Sequence, residues 1–277
     1  RMGVAFKGSD GSYTLINGNQ IGTMLEYYLL TRKKEMGKLP KNSLVIKTIV
    51  TTDLQKEVAK SFNCKIEDVL TGFKWIASKM KENDEKGTNT FIFGGEESYG
   101  YLPVDFVRDK DAVSSCYFFA EMTDWLKKKN MTLQNFLDEI YIKFGLYLED
   151  LHSLTLKGVE GSEKIKEMME KLRKDSPDSF GGLKVKEIHD IDNLIKKDML
   201  TGKTESIKGL PNSNVLQFFL SDGSKITMRP SGTEPKIKFY FSVKEEVSED
   251  TLSDGKERAK DKIENLKDDL MKVINSF

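Results

Sequence analysis

Apolar residues in the first half of this chain recur at helical spacing and then gather into short runs, and the two patterns alternate. Ile21, Met24, Leu25, Tyr28 and Leu29 share one face of a predicted helix, with Asn19 placed to cap its start and Gly37 near its end. Residues 44–50 are apolar and β-branched apart from Lys47 and Thr48, as a strand buried on both faces would be. Thr52 and Asp53 then stand as caps for a polar helix over 54–62. Phe73, Ile76, Ala77 and Met80 predict a helix beginning at Thr71, with Trp75 either packed beneath it or lining a cleft. A strand over 90–93 and helices over 112–129 and 132–144 complete the alternation, which predicts an α/β fold with three α/β/α layers.

Two short strands, 3–7 and 13–16, precede that domain around the turn Gly8-Ser9-Asp10-Gly11. After Gly145 the pattern changes. Residues 146–151 mix charge with aromatics, and a domain boundary is expected there. A strand from Leu154, a charged helix over 162–174 and a turn-rich stretch over 176–182 follow. Strands over 215–220, 225–228 and 236–243 and a last helix from about Asp250 close the chain. Helices laid on one face of an antiparallel sheet predict an α+β domain.

A length of 277 residues suits two domains, each with its own core. Lys and Arg balance Asp and Glu at 44 each, which argues against a nucleic-acid partner. There is no apolar run of membrane-spanning length and no leader-like start, so a cytoplasmic protein without a membrane partner is the expectation. Cys64 and Cys116 lack metal-ligand spacing and are expected to be buried thiols.

Two stretches carry chemistry. Arg229-Pro230-Ser231-Gly232-Thr233-Glu234-Pro235-Lys236 lies between two predicted strands and reads as a phosphate cradle. Arg229 offers a planar fork to a dianion, Ser231 and Thr233 add hydroxyl donors, and Gly232 permits the positive φ of an anion nest. Lys236 and Lys238 share a strand face, and either one could add a charge. Upstream, the strand over 90–93 runs into the loop Gly94-Gly95-Glu96-Glu97-Ser98-Tyr99-Gly100. Glu96 and Ser98 would point the same way if that loop stays extended, and a carboxylate beside a hydroxyl suits sugar diols.

In this order, Gly95-Glu96-Glu97-Ser98 and the Arg229 to Lys236 loop resemble the α-D-phosphohexomutases, the family of phosphoglucomutases and phosphomannomutases. There Gly-Glu-x-Ser is the sugar-binding loop of the third of four domains, and Arg-x-Ser-Gly-Thr-Glu-Pro-Lys is the phosphate-binding loop of the fourth. Thr71-Gly72-Phe73-Lys74-Trp75-Ile76 and Phe106-Val107-Arg108-Asp109-Lys110-Asp111 resemble the bacterial phosphoglucomutase branch, which also includes phosphopentomutase-like members. The resemblance implies that residues 1–16 are the tail of a second, metal-binding domain. It makes 17–146 the α/β/α sugar-binding domain and 147–277 a TBP-like α+β phosphate-binding domain, with residues 146–151 resembling the family's hinge between them. It further implies that Gly95, Glu96 and Ser98 hold sugar hydroxyls, and that Arg229, Ser231, Gly232 and Thr233, with Lys236 or Lys238, hold the unreactive phosphate. Lys110 would assist proton transfer.

The family's phosphoserine loop, Ser-His-Asn-Pro, and its metal loop, Asp-x-Asp-x-Asp-Arg, do not occur in the sequence. Asp190 and Asp192 alternate but stop at two, and Arg1 would be the closing arginine of the metal loop. The chain is therefore expected to be the C-terminal half of a hexose-phosphate mutase, inactive alone. Mg²⁺ and a glucose 1,6-bisphosphate activator would belong to the whole enzyme, with its N-terminal domains as partner. Some members carry a histidine two residues after the loop serine, where this chain has Gly100. Glucose, mannose and pentose are not distinguished, and a non-catalytic phosphosugar-binding module is the alternative.

Overall fold

The computed structural model describes residues 1–7 and 11–276, so Gly8, Ser9 and Asp10 of the predicted turn lie outside the described residues. The chain divides into two compact units, Arg1–Gly145 and Leu146–Phe277.

The first unit begins with a hairpin of β1 (Val4–Lys7) and β2 (Tyr13–Ile16), then runs α1 (Gly18–Glu35), β3 (Ser43–Thr48), α2 (Leu54–Ser61), β4 (Lys65–Val69), α3 (Phe73–Lys86), β5 (Thr90–Glu96), β6 (Gly100–Leu102), α4 (Ala112–Lys128) and α5 (Leu133–Phe144). Its main sheet has the order β4-β3-β5-β6, parallel except for β6, and β3 is buried along its whole length. Leu44, Ile46, Val69 and Phe91 meet Phe73, Ile76 and Met80 of α3 in one core, with the half-buried Trp75 packed against it. On the opposite face Tyr101 of β6 donates its hydroxyl to the Gly18 carbonyl of α1, and α1 packs in turn on α2, α4 and α5. The result is the three-layer α/β/α arrangement that the alternation predicts.

Several local assignments differ from the sequence reading. Asn17, not Asn19, caps α1: its Oδ1 accepts from the Gln20 N–H at 2.9 Å, and Gln20 Oε1 accepts from the Asn17 N–H at 3.0 Å. Asn19 is buried and accepts from the Thr52 N–H at 3.0 Å, which ties α1 to the loop after β3. Thr52 does cap α2 through its hydroxyl, whereas Asp53 makes no such bond and pairs with Lys47 and Lys56. Strand β4 was not expected. It is an edge strand with the charged sequence KIEDV, and its place is set by parallel pairing with β3 rather than by its own alternation. Cys64 is buried, but Cys116 is exposed on α4, contrary to the expectation of two buried thiols.

The second unit runs β7 (Leu146–Thr155), α6 (Gly158–Lys174), β8 (Ser179–Phe180), β9 (Leu183–Asp190), β10 (Ile195–Asp198), β11 (Thr204–Ser206), β12 (Leu216–Leu220), β13 (Lys225–Pro230), β14 (Lys236–Glu245) and α7 (Leu252–Asn275). The antiparallel sheet has the order β11-β10-β9-β12-β13-β14-β7, with β8 paired to β9. Along β14 the odd positions Ile237, Phe239, Phe241 and Val243 are buried, and both α6 and α7 pack on this strand. Lys236, Lys238, Ser242 and Lys244 alternate with them and stay half-buried, so the helices cover one face, as expected of an α+β domain. The segment expected between the domains is a strand that opens the second unit. Residues 146–151 are the first part of β7, each paired in register with β14 from Leu146↔Glu245 to Leu151↔Tyr240.

Candidate functional site

In the first unit the chemistry collects at the end of β5. That strand does not stop at Phe93; it continues through Gly94 and Gly95 to Glu96, and β6 returns antiparallel with Glu96 opposite Gly100. The two glycines serve packing rather than an unusual backbone. A Cβ on Gly94 would meet Ile76 Cγ2 at 2.8 Å, and one on Gly95 would meet the Phe93 ring at 3.2 Å. The reversal falls instead on Tyr99, at φ 67°, a left-handed conformation that costs a non-glycine residue roughly 1 kcal/mol. Its carbonyl accepts from the Met2 N–H at 3.0 Å.

Because the chain turns here, Glu96 and Ser98 do not share a strand face, and each has its own setting. Glu96 is only 5% exposed. Its Oε1 accepts from the N–H of Gly72 at 2.8 Å, and Gly72 has φ 110°, a conformation open to glycine, at the start of α3. Among the described residues no hydrogen bond reaches its other oxygen, Oε2, so one oxygen anchors the side chain and one is left as an acceptor. Ser98 is half-buried, and Arg1 Nη1 donates to its Oγ at 2.8 Å and also to its carbonyl. Arg1, assigned from sequence to a metal loop, thus stands on the serine of the turn. Lys110 is half-buried beside Glu96: its Nζ lies 5.7 Å from the Phe73 ring centroid and 3.0 Å from Asp109 Oδ1. That hydrogen bond, more than any other contact, holds the Asp109 carboxyl below its usual range. Three separated motifs, Gly72-Phe73, Glu96 with Gly100, and Lys110, therefore meet in one place.

Sequence reasoning missed the support beneath this turn. Glu97 Oε2 accepts from the hydroxyls of Thr48 and Thr51, each at 3.3 Å, and burial pushes the Glu97 carboxyl above its usual pKa range. Behind it Lys47 is fully buried at the end of β3. It bonds Asp53 at 3.0 Å and Asp68 at 2.9 Å, and Lys56 pairs with the same two acids. Burial alone would lower the Lys47 pKa, but the two carboxylates overcome it and raise it. The visible signal was Lys47 itself, a charge inside an otherwise apolar strand, which in a buried strand must have found acids.

In the second unit β13 extends to Pro230, and the loop 231–235 leads into β14. Arg229 lies directly opposite Lys238 in the ladder, so the two side chains share one face of the sheet. Like charges facing each other are unfavourable unless an anion joins them, and among the described residues no carboxylate pairs with Arg229, Lys236 or Lys238. The loop is shaped by the Ser231 N–H donating to the Lys236 carbonyl at 2.7 Å and the Lys236 N–H donating to the Glu234 carbonyl at 2.7 Å. Ser231 Oγ accepts from the Thr233 N–H at 3.4 Å. Gly232 is exposed with open space around it and does not have a positive φ, so the expected nest does not form through that residue.

Residues 17–144 match the family model of the phosphoglucomutase/phosphomannomutase alpha/beta/alpha domain III. The phosphoglucomutase of Staphylococcus haemolyticus is 39% identical over 254 residues, which cover 90% of this chain and 45% of that protein. That of Staphylococcus aureus is 39% identical over 244 residues, covering 88% and 43%. Among solved structures, a putative phosphomannomutase from Thermus thermophilus aligns over 99% of this chain and 46% of its own, at 15% identity and a TM-score of 0.58. The Paramecium phosphoglucomutase parafusin aligns over 91% and 42%, at 18% identity and a TM-score of 0.57. The chain spans less than half the length of these relatives.

Proposed function

Because this chain belongs to the phosphoglucomutase/phosphomannomutase family, we propose that it is the substrate-holding half of a mutase that interconverts hexose 1-phosphate and 6-phosphate through a bisphosphate. The observation that carries this reading is the half-committed carboxylate of Glu96. One oxygen is locked to a backbone N–H, and the other is open to a hydroxyl on a buried, preorganised strand end. Ser98 and the strand carrying Gly95 complete the hydroxyl-binding turn. Arg229 binds the unreactive phosphate through its fork, with Lys238 opposite it and Ser231, Gly232, Thr233 and Lys236 around it.

In the whole enzyme a phosphoryl group passes from a phosphoserine outside this chain to the free hydroxyl of the sugar phosphate. A new O–P bond forms on the sugar as the serine O–P bond breaks. The second phosphoryl then returns to serine from the other end, leaving the isomer. This chain's contribution is to orient, and Lys110 assists the transfer of the proton that the accepting hydroxyl loses. Among the described residues no three His, Cys, Asp or Glu side chains are grouped to hold a metal ion. Mg²⁺ and glucose 1,6-bisphosphate belong to the proposed whole enzyme, together with its N-terminal domains. The phosphoglucomutase relatives favour glucose as the hexose. No helix among the described residues is long and apolar enough to cross a membrane, and a cytoplasmic home is part of the same proposal.

Calorimetry of the 277-residue chain with glucose 1-phosphate, glucose 6-phosphate and inorganic phosphate tests the reading. Both sugar phosphates should bind, and Glu96→Ala should weaken them while leaving inorganic phosphate unchanged. Equal losses for sugar phosphate and phosphate, or no loss at all, would overturn it.

A further inference from the structure

Gly100 is buried in β6, and its backbone lies outside the left-handed region, so its conformation does not call for glycine. The space around it does. A Cβ at this position would stand 3.1 Å from Glu96 Oε2, 3.1 Å from Lys110 Cδ and 3.5 Å from Lys110 Cβ. The missing side chain leaves a space that the open oxygen of Glu96 and the stem of Lys110 both border.

Of the two neighbours, one is fixed and the other can give only through its side chain. Glu96 is held through Oε1 by Gly72 and is almost fully buried. The main chain beside Lys110 is pinned at the next residue, where the Asp111 N–H donates to the Tyr101 carbonyl at 2.9 Å and the Asp111 carboxylate caps α4 through the N–H groups of Val113 and Ser114. Only the Lys110 side chain can yield, and its ammonium would then leave its place near the Phe73 ring.

We propose that Gly100 is a positioning residue whose missing side chain seats Lys110 beside the Glu96 carboxylate, so that one acceptor and one ammonium donor meet the same vicinal hydroxyls of a polyol ligand. The ligand chemistry follows from the pair. A carboxylate oxygen accepts from one hydroxyl while an ammonium donates to the oxygen of its neighbour, a pattern that a neutral diol satisfies, whereas a lone phosphate would set its negative charge against the carboxylate. This deepens the proposed function and rests on its reading of Glu96 as a hydroxyl acceptor.

The test uses Gly100→Ala, Lys110→Met and the double variant of the full chain, with two readouts. In the first, lysines are reductively methylated with ¹³C, and the Lys110 resonance is assigned by its loss in Lys110→Met. Gly100→Ala should shift that resonance while the other lysine signals stay in place, and an unmoved Lys110 signal would overturn the proposal. In the second, calorimetry with glucose 1-phosphate should show Gly100→Ala weakening binding roughly tenfold in the natural background and having no effect in the Lys110→Met background. A loss that persists without Lys110 would show that Gly100 acts by packing alone, and the proposal would fall. If no variant, nor the natural chain, binds the sugar phosphate, the functional reading fails while the resonance still decides where Gly100 places Lys110.

Discussion

The turn after β5 is tied at every residue, to Gly72 at Glu96, to Thr48 and Thr51 at Glu97, to Arg1 at Ser98 and to Met2 at Tyr99. In the loop after β13, by contrast, a few local backbone bonds give the shape, and Arg229, Lys236 and Lys238 carry no counter-ion among the described residues. The difference follows from what each has to recognise. A neutral hydroxyl is found only by an acceptor standing at the right place and angle, so the carboxylate is buried and held. An anion is attracted from further away and needs charge left unspent, so the cations stay half-exposed and unpaired. Rigidity in one region and unspent charge in the other are two routes to binding.

The most damaging way to break the contrast is at Gly18, the first residue of α1. A Cβ there would lie 1.8 Å from the Glu97 carbonyl oxygen and 3.1 Å from the Tyr99 nitrogen, so the turn or the helix start has to move. Gly18→Ala should destabilise the first unit by on the order of 3 kcal/mol and weaken glucose 1-phosphate, with inorganic phosphate binding intact. Denaturant unfolding followed by Trp75 and Trp125 fluorescence, both in that unit, checks the first part. Unchanged stability would mean that the turn is far less constrained than its bonds indicate.

Arg229→Ala should produce the mirror image. Losing the fork removes about 1.5 to 3 kcal/mol of binding to inorganic phosphate and to glucose 6-phosphate alike. The unfolding midpoint should not fall, because among the described residues the side chain has no partner to lose and a facing Lys238 is relieved. Phosphate titrations paired with thermal melts give both numbers, and a large drop in stability would show that Arg229 is structural.

How much of this was legible in the sequence differs between the same two regions. The phosphate loop could be read almost whole, since its function lies in side-chain types at short spacing, and β13 and β14 appear where the apolar runs place them. What failed there was backbone detail: Gly232 suggested a nest, and the loop closes through Ser231 and Lys236 instead. For the sugar turn the sequence showed Glu96 but not why it stays put, because its holders, Gly72, Thr48, Thr51 and Arg1, come from distant segments that only the sheet brings together. The strand over 146–151 was hidden for a similar reason, as mixed charge and aromatics describe a segment between domains as well as a strand with one exposed face, and only the partner β14 identifies it as a strand. Composition reports chemistry, and long-range pairing decides geometry.

The contrast should also appear in pH dependence. Glu26 of α1 is fully buried with neither carboxylate oxygen hydrogen-bonded, and burial raises its pKa well above the usual range against a weaker opposing pull from Lys47. A carboxyl with a raised folded pKa is held protonated in the fold while the unfolded chain ionises above about pH 4, so stability falls as pH rises from there toward the folded value. Glu26→Gln keeps the shape without the titration. It should unfold at a higher denaturant concentration than the natural chain at pH 8, with the gap closing near pH 4. The second unit should show no such gain, and an equal effect at both pH values would show that Glu26 is ionised in the fold.

The smallest effect separates two lysines that sequence alone leaves equivalent. Lys236 and Lys238 lie on one face of β14, but their cross-strand neighbours differ. Lys238 faces Arg229 on one side and Ser153 of β7 on the other, whereas Lys236 faces Thr155 of β7 and gives its backbone N–H and carbonyl to closing the loop at Glu234 and Ser231. An anion gripped by Arg229 therefore meets the ammonium of Lys238 first, and Lys236 contributes mainly through its backbone, which substitution leaves in place. Lys238→Ala should weaken inorganic phosphate more than Lys236→Ala, by about 1 kcal/mol, and the difference should shrink in high salt, where exposed charges are screened. Phosphate affinities of the two variants at low and high ionic strength decide it. A larger loss at Lys236 would place the anion over the tip of the loop instead of over the Arg229–Lys238 rung, and the open charge of the second region would then lie in the loop rather than in the sheet.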